Sequence, residues 1–365
     1  MLPETIESLF SLPTLWEKLQ NADKPIVLYG MGDGADKILA VCEEKWIPVD
    51  GVFVSDDFYR KKTFHGFPLM RYRDAKERFG EMIVLLAFAT RLDNVMQNVY
   101  TVMKQDELYA PFVPVYGKEL FTVSLLRERA GDARAVFLHL ADDVSRKAFL
   151  CVLAYRLTGD IRYLSACETS PAEAYRTIIR PKTGDTYVDV GAYNGDTLKE
   201  YVSHAGTDVS VIAFEPDIRN YRKLSQSVAD LPLKNVSLHH AAAWDADTSL
   251  SFEAKSGRAA AANGCADGKH TVIIPAFRVD SLTGGVADYI KIDAEGTDMN
   301  VLRGMTETVK KSRPTVCCAA YHRTGDLFDI PLFLAAHYPD SRLFIRHFPY
   351  IPDWDTNVYI RPNER

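Results

Sequence analysis

The stretch 186–197, Thr-Tyr-Val-Asp-Val-Gly-Ala-Tyr-Asn-Gly-Asp-Thr, constrains the fold more than any other part of the chain. Thr186, Tyr187, Val188 and Val190 favour an extended backbone, Gly191 and Gly195 break it, and a helical pattern resumes at Thr197. A strand that runs through a glycine turn into a helix is where a nucleotide-like ligand meets a helix N-terminus. Asp189, two positions before the first glycine, sets the sign of that ligand. A carboxylate there repels a pyrophosphate and suits a cation, such as the ammonium group of S-adenosylmethionine (SAM). A tight turn that binds nothing is the competing reading of this segment alone.

Further strands follow in order. Residues 209–214 form an apolar strand ending in Glu215-Pro216-Asp217. A carboxylate at the end of the second strand can accept both ribose hydroxyls of an adenosine, and Asp217 can cap the helix over 218–229. The competing role for Glu215 is that of a helix-dipole partner. After a third strand at 236–240, Ala242 and Trp244 are candidates to wall an adenine ring. Residues 249–252 and 271–275 read as a hairpin around the loop 257–268, which is either a lid or a surface excursion. The buried strand 289–292 delivers Asp293 and Glu295 to its carboxyl end, where open α/β sheets bind ligands. A surface pair of helix-capping acids is the alternative. The pattern then predicts one helix over 297–309, a strand over 315–320 ending in Tyr321-His322-Arg323, and a helix over 329–337 opened by Pro331. Residues 342–347 and 356–360 close the chain as a β-hairpin.

Upstream, the strand 25–29 runs into Gly30-Met-Gly-Asp-Gly-Ala35, a G-x-G-x-x-A turn, and then a helix over 36–44. A second strand, 49–54, ends at Ser55-Asp56-Asp57, where a ribose-binding acid would lie; 64–68 reads as a loop and 82–89 as a strand. These features make 23–116 a doubly wound α/β unit that either binds a nucleotide or serves only in packing. No catalytic acid, base or nucleophile is evident near it. Residues 118–180 read as mostly helical, giving three regions: a Rossmann-like domain over 1–117, a helical connector over 118–182, and the domain over 183–365.

With 43 basic against 49 acidic residues and a net charge of -6, the chain carries no dense basic patch for a nucleic acid. Its longest apolar-rich run, 82–89, is far too short to span a bilayer, and the N-terminus lacks the pattern of a signal peptide. Six scattered cysteines without C-x-x-C spacing fit reduced thiols in a cytoplasmic protein.

Taken together, Asp189-Val-Gly-Ala-Tyr-Asn-Gly-Asp-Thr197, Phe214-Glu-Pro-Asp217, Val279-Asp-Ser-Leu282 and Ile290-Lys-Ile-Asp-Ala-Glu-Gly296 resemble the motifs of FkbM-type SAM-dependent methyltransferases. Leu302-Arg-Gly304, Tyr321-His322 and the start of the helix at Asp329-Ile-Pro331 extend the resemblance over about 183–362. It implies a class I methyltransferase fold, a mostly parallel seven-stranded sheet with its last strand antiparallel, behind the Rossmann-like α/β domain. It also implies methylation of a hydroxyl, with a sugar, glycan precursor or other small molecule as acceptor. Asp189, Gly191, Asn194 and Gly195 would line the methionine end of SAM, with Asp196 and Thr197 at the helix start. Glu215 would hold the ribose, with Asp217 and Ala242 on the adenine side.

For an alcohol acceptor the protein must supply in-line geometry and a proton acceptor. Asp293 and His322 are the first candidates for that base, with Glu295 third. A Mg²⁺ ion gathered by Asp293 is another way to acidify the hydroxyl, although the sequence shows no complete ligand set. Two other classes compete: a nucleotide-sugar-binding oxidoreductase or epimerase built on the first domain, and a non-catalytic SAM- or nucleotide-binding module. A homo-oligomer is compatible with the sequence.

Overall fold

The computed structural model describes residues 2–253, 261–262 and 271–363. Each strand–glycine–helix unit of the sequence nucleates its own open sheet. The first sheet contains β1 (Ile26–Tyr29), β2 (Gly51–Val54), β3 (Thr63–Phe64), β4 (Phe67–Arg71), β5 (Ile83–Leu86) and β6 (Glu107–Tyr109), in the order β3-β4-β2-β1-β5-β6. All its pairs are parallel except β3 with β4. β1, β2 and β5 are buried along their whole length, as apolar strands covered on both faces must be. Residues 64–68 are not a loop. His65 and Gly66 adopt φ of 48° and 83°, a tight turn that pairs Phe64 with Phe67.

The G-x-G-x-x-A turn lies between β1 and the helix Asp33–Glu44, but its glycines serve packing. A side chain on Gly30 would meet the Phe88 ring at 2.6 Å, and one on Gly34 the Ala87 carbonyl oxygen at 2.5 Å. Asp33 and Asp36 occupy the first turn of the helix, adding negative charge where a pyrophosphate would rest.

The second sheet opens with β7 (Thr186–Val190), β8 (Ser210–Phe214) and β9 (Asn235–His239). A small side sheet interrupts it: β10 (Ala242–Ala243), β11 (Thr248–Glu253), β12 (Ala261–Ala262) and β13 (Thr271–Phe277). β11 and β13 are the antiparallel hairpin expected from the sequence. Apart from β12, the loop 257–268 lies outside the described residues. The main sheet resumes with β14 (Tyr289–Ile292), β15 (Thr315–Ala319), β16 (Ser341–His347) and β17 (Thr356–Pro362). Its order is β16-β17-β15-β14-β7-β8-β9. β17, the last in sequence, inserts between β15 and β16 and is antiparallel to both, while β15-β14-β7-β8-β9 are parallel.

Two helices differ from the sequence reading. Residues 297–309 do not form one helix but contribute to two, Asp298–Arg303 and Thr306–Ser312. The break is built by Gly304, where a Cβ would come 1.9 Å from the Trp244 carbonyl oxygen, and by Asp280, whose carboxylate accepts from the Glu307 and Thr308 amides. The helix assigned to 329–337 begins at Asp326, so Pro331 lies inside it. The Asp326 carboxylate accepts from the Arg323 amide and helps set this earlier start.

Between the sheets, helices including Val123–Glu128, Ala130–His139, Asp143–Thr158 and Ile161–Cys167 form a layer. Arg156 on the third of these pairs with Asp353 at 2.7 Å, both side chains wholly buried. Arg346 on β16 is likewise held by Asp142 and Glu173. One apolar core runs from Val27 and Phe53 through Phe149 to Ile290 and Ile360. Segments after β5 and β6 reach the second sheet. Thr90 and Ile351 exchange two backbone hydrogen bonds, at 2.7 and 3.0 Å, and the Tyr116 amide donates to the His322 carbonyl at 2.9 Å. No helix among the described residues is long and apolar enough to cross a membrane.

Candidate active site

The ends of β7, β8 and β14 meet at one point because Gly191 has no side chain. Its φ is 76°, and a Cβ would come 1.9 Å from the Asp293 carbonyl oxygen. The Asp293 amide in turn donates to the Val190 carbonyl at 3.0 Å. Gly195, at φ 82°, precedes the helix Asp196–Ala205, and the Asn194 side chain accepts from the Asp196 amide at 3.1 Å. At the end of β8, Glu215 accepts from the amides of Tyr193 at 2.8 Å and Asp217 at 2.9 Å. Burial pushes its carboxyl up to about 7 despite those bonds. Asp217 caps the following helix through the amides of Arg219 and Asn220.

These strand ends enclose a cavity of about 350 Å³, within the range of small-molecule sites. Gly191, Asp196, Thr197, Glu215, Asp217, Ala242, Asp293 and Glu295 line it. Asp189, Asn194, Gly195 and His322 are not among its lining residues. Asn194 and Gly195 shape the turn from behind. Asp189 is wholly buried, and neither carboxylate oxygen accepts a hydrogen bond.

The charge facing Asp189 is one that the sequence reading missed. Lys291 Nζ lies 3.7 Å from Asp189 and 3.7 Å from Asp293, and donates to the Gly191 carbonyl at 3.3 Å. Burial alone would lower its pKa, but the two carboxylates outweigh that and hold the ammonium above its ordinary range. The signal was present: a lysine within the apolar run Tyr-Ile-Lys-Ile of β14 needs a buried counter-charge.

Asp293 sits between charges. Burial would raise its carboxyl, but Lys291 and His322 outweigh burial, and the Tyr321 hydroxyl donates to it at 3.1 Å. The result is a carboxylate held well below its usual range. His322 is wholly buried, with Nδ1 2.9 Å from Asp298 and Nε2 3.2 Å from Asp293. Burial opposes its charge, yet the two aspartates hold the ring well above the ordinary histidine range. His322 does not line the cavity, and the two aspartates favour its protonated form, which has no free lone pair. Glu295 does reach it. Its backbone is left-handed, φ 50°, and burial pushes its carboxyl up to about 8, with His322 opposing.

Asp298, His322 and Asp326 lie within 4.8 Å of one another through potential ligand atoms. Within the protein Asp298 accepts from the Ala294 and Gly296 amides and faces His322 Nδ1 at 2.9 Å, and Asp326 accepts from the Arg323 amide. None of the three lines the cavity.

Other walls come from distant parts of the chain. Tyr175 and Ile179 arrive from the helical layer, Trp354 and Asp355 from the β16–β17 loop, and Arg91 from the loop after β5. Among the described lining residues, seven carboxylates (Asp196, Glu200, Glu215, Asp217, Asp293, Glu295, Asp355) face two cations, Arg91 and Lys291. Such a cavity favours a cationic ligand.

A parallel sheet with this strand order, a reversed last strand and acids at the ends of its second and fourth strands is the class I methyltransferase fold. The sequence agrees: residues 189–350 match the family described as the methyltransferase FkbM domain. Residues 189–350 are thus similar to an FkbM methyltransferase domain. The crystal structure of methyltransferase FkbM from Methylobacillus flagellatus KT is similar over 98% of this chain and 94% of that one, with a TM-score of 0.70 at 18% identity. The likeness of fold therefore extends through the N-terminal part, beyond the motifs. A putative rRNA methylase from Clostridium thermocellum covers 54% of this chain and 98% of its own, at 13% identity and a TM-score of 0.36. Fibrillarin from Aeropyrum pernix covers 49% and 67%, at 13% identity and a TM-score of 0.30. No curated protein matches the chain.

Proposed function

We propose that this protein transfers a methyl group from SAM to a hydroxyl of a small acceptor, a sugar or glycan precursor being the class favoured. The observation that carries the reading is one acid-lined cavity shared by Glu215 at the end of β8 and by Asp293 and Glu295 beyond β14. One feature fits the cofactor: the excess of carboxylates lining the cavity suits a sulfonium and an ammonium. Bound SAM would supply a methyl group already activated on sulfur.

The residues divide the remaining work. Glu215 accepts the ribose hydroxyls, fixed in place by two backbone amides. Ala242 and Asp217 border the adenine side. Asp293, kept ionised by Lys291 and His322, accepts a hydrogen bond from the acceptor hydroxyl and orients its oxygen. A carboxylate that acidic is a poor base. Glu295, pushed up to about 8, is basic enough to take the proton and replaces Asp293 and His322 in that role. His322 and Asp298 are positioning residues behind Asp293.

The test is methyl transfer from labelled SAM to a panel of sugars and glycans, with wild type and Glu295→Gln. The expected outcome is label incorporated at a hydroxyl by wild type and lost in the variant. Labelled methyl found only on nitrogen or carbon would overturn the hydroxyl assignment.

A further inference from the structure

One wall of the cavity comes from outside the methyltransferase sheet. Arg91 lies in the loop after β5 and borders the cavity together with Trp354 and Asp355. Its backbone is anchored, because its neighbour Thr90 pairs with Ile351 in both directions. The opposing loop is equally fixed. Asp353 is locked to Arg156, and Asp355, in a left-handed backbone at φ 120°, is held by the Asn357 amide nitrogen at 2.9 Å. A non-glycine residue in that conformation persists where its surroundings impose it, as at ligand clamps.

The two cations of the cavity differ in what they have left to offer. Lys291 is already neutralised by Asp189 and Asp293. Arg91 is exposed and makes no hydrogen bond or ion pair among the described residues; Glu200 and Asp355 feel its charge without pairing to it. An unengaged guanidinium fork matches a carboxylate or phosphate in bidentate geometry. It is also the first sheet's cavity-lining charge, and that sheet's glycine turn is filled by Phe88.

We propose that Arg91 is a specificity residue that receives a carboxylate or phosphate group of the methyl acceptor, so that the Rossmann-like N-terminal part completes the acceptor site. This rests on the SAM-dependent reading above. The acceptor is then an anionic sugar, such as a hexuronate or a sugar phosphate.

The experiment uses the full chain saturated with S-adenosylhomocysteine, the unreactive product, titrated calorimetrically with glucuronate, glucose 6-phosphate and glucose. At least one anionic sugar should bind wild type about tenfold tighter than glucose. Arg91→Gln should erase that preference while leaving the affinity for S-adenosylhomocysteine within about twofold, since the exposed arginine carries no fold contact. Equal or absent binding of all three sugars to wild type overturns the proposal. So does a variant that keeps the preference. A variant that instead loses S-adenosylhomocysteine, but not its weaker analogue 5′-methylthioadenosine, assigns Arg91 to the cofactor's own carboxylate and overturns it too. Wild type that fails to bind S-adenosylhomocysteine at all refutes the methyltransferase reading rather than this one.

Discussion

At the residue scale, two carboxylates two positions apart have opposite acidities because of what lies behind them. Lys291 and His322 hold Asp293 ionised, while burial holds Glu295 up to about 8. If Glu295 takes the proton, methyl transfer should rise with pH through about 8 and level off above it; a rate independent of pH from 6 to 9 would contradict the assignment. The same shift acts on stability. A carboxyl whose folded pKa lies above its unfolded value stabilises the protonated fold, so that contribution is full below the unfolded value of 4.5 and is lost as pH rises toward about 8. Glu295→Gln cannot titrate. Its unfolding midpoint should therefore gain on wild type between pH 5 and pH 8, as read by thermal melts in matched buffers. His322→Gln removes the charge that helps keep Asp293 acidic, and the pH profile should change shape while SAM still binds.

At the element scale, strands were legible wherever an apolar run ended at glycine or acid, as in 186–190, 210–214 and 289–292, because parallel strands buried on both faces leave little choice of residue. What was hidden depended on partners. The turn at His65-Gly66 carries no Asn-Gly signal, and the break at Gly304 exists because the Trp244 carbonyl presses on it. In the site, Asp293 and Glu295 could be found because sheet topology sends strand ends to one edge. The behaviour of His322 could not, because its protonation depends on Asp298 and Asp293 outweighing complete burial. Gly191 joins both levels. Gly191→Ala should cost about 1–3 kcal/mol as an overpacking change, and more from the positive φ. Chemical denaturation measures this, and a variant as stable as wild type would show that β7 and β14 can part without penalty.

At the scale of the whole molecule, the cavity belongs to neither sheet alone. Arg91 comes from the N-terminal part and Tyr175 from the helical layer, brought together by folding rather than by any local pattern. The Arg156–Asp353 pair ties that layer to the loop carrying Trp354 and Asp355. Arg156→Met leaves Asp353 charged or forced to protonate in a wholly buried site, and should cost about 3–5 kcal/mol in denaturant unfolding. A loss below about 1 kcal/mol would mean that water or another donor replaces the guanidinium. The central claim, that β7, β8 and β14 form one SAM site, is tested most directly by calorimetric titration of SAM into wild type and Glu215→Ala. Wild type should bind one SAM per chain and the variant about tenfold or more weakly, as expected when a charged hydrogen-bonding partner is removed. Wild type that gives no SAM binding, or a variant that binds equally well, would contradict the account.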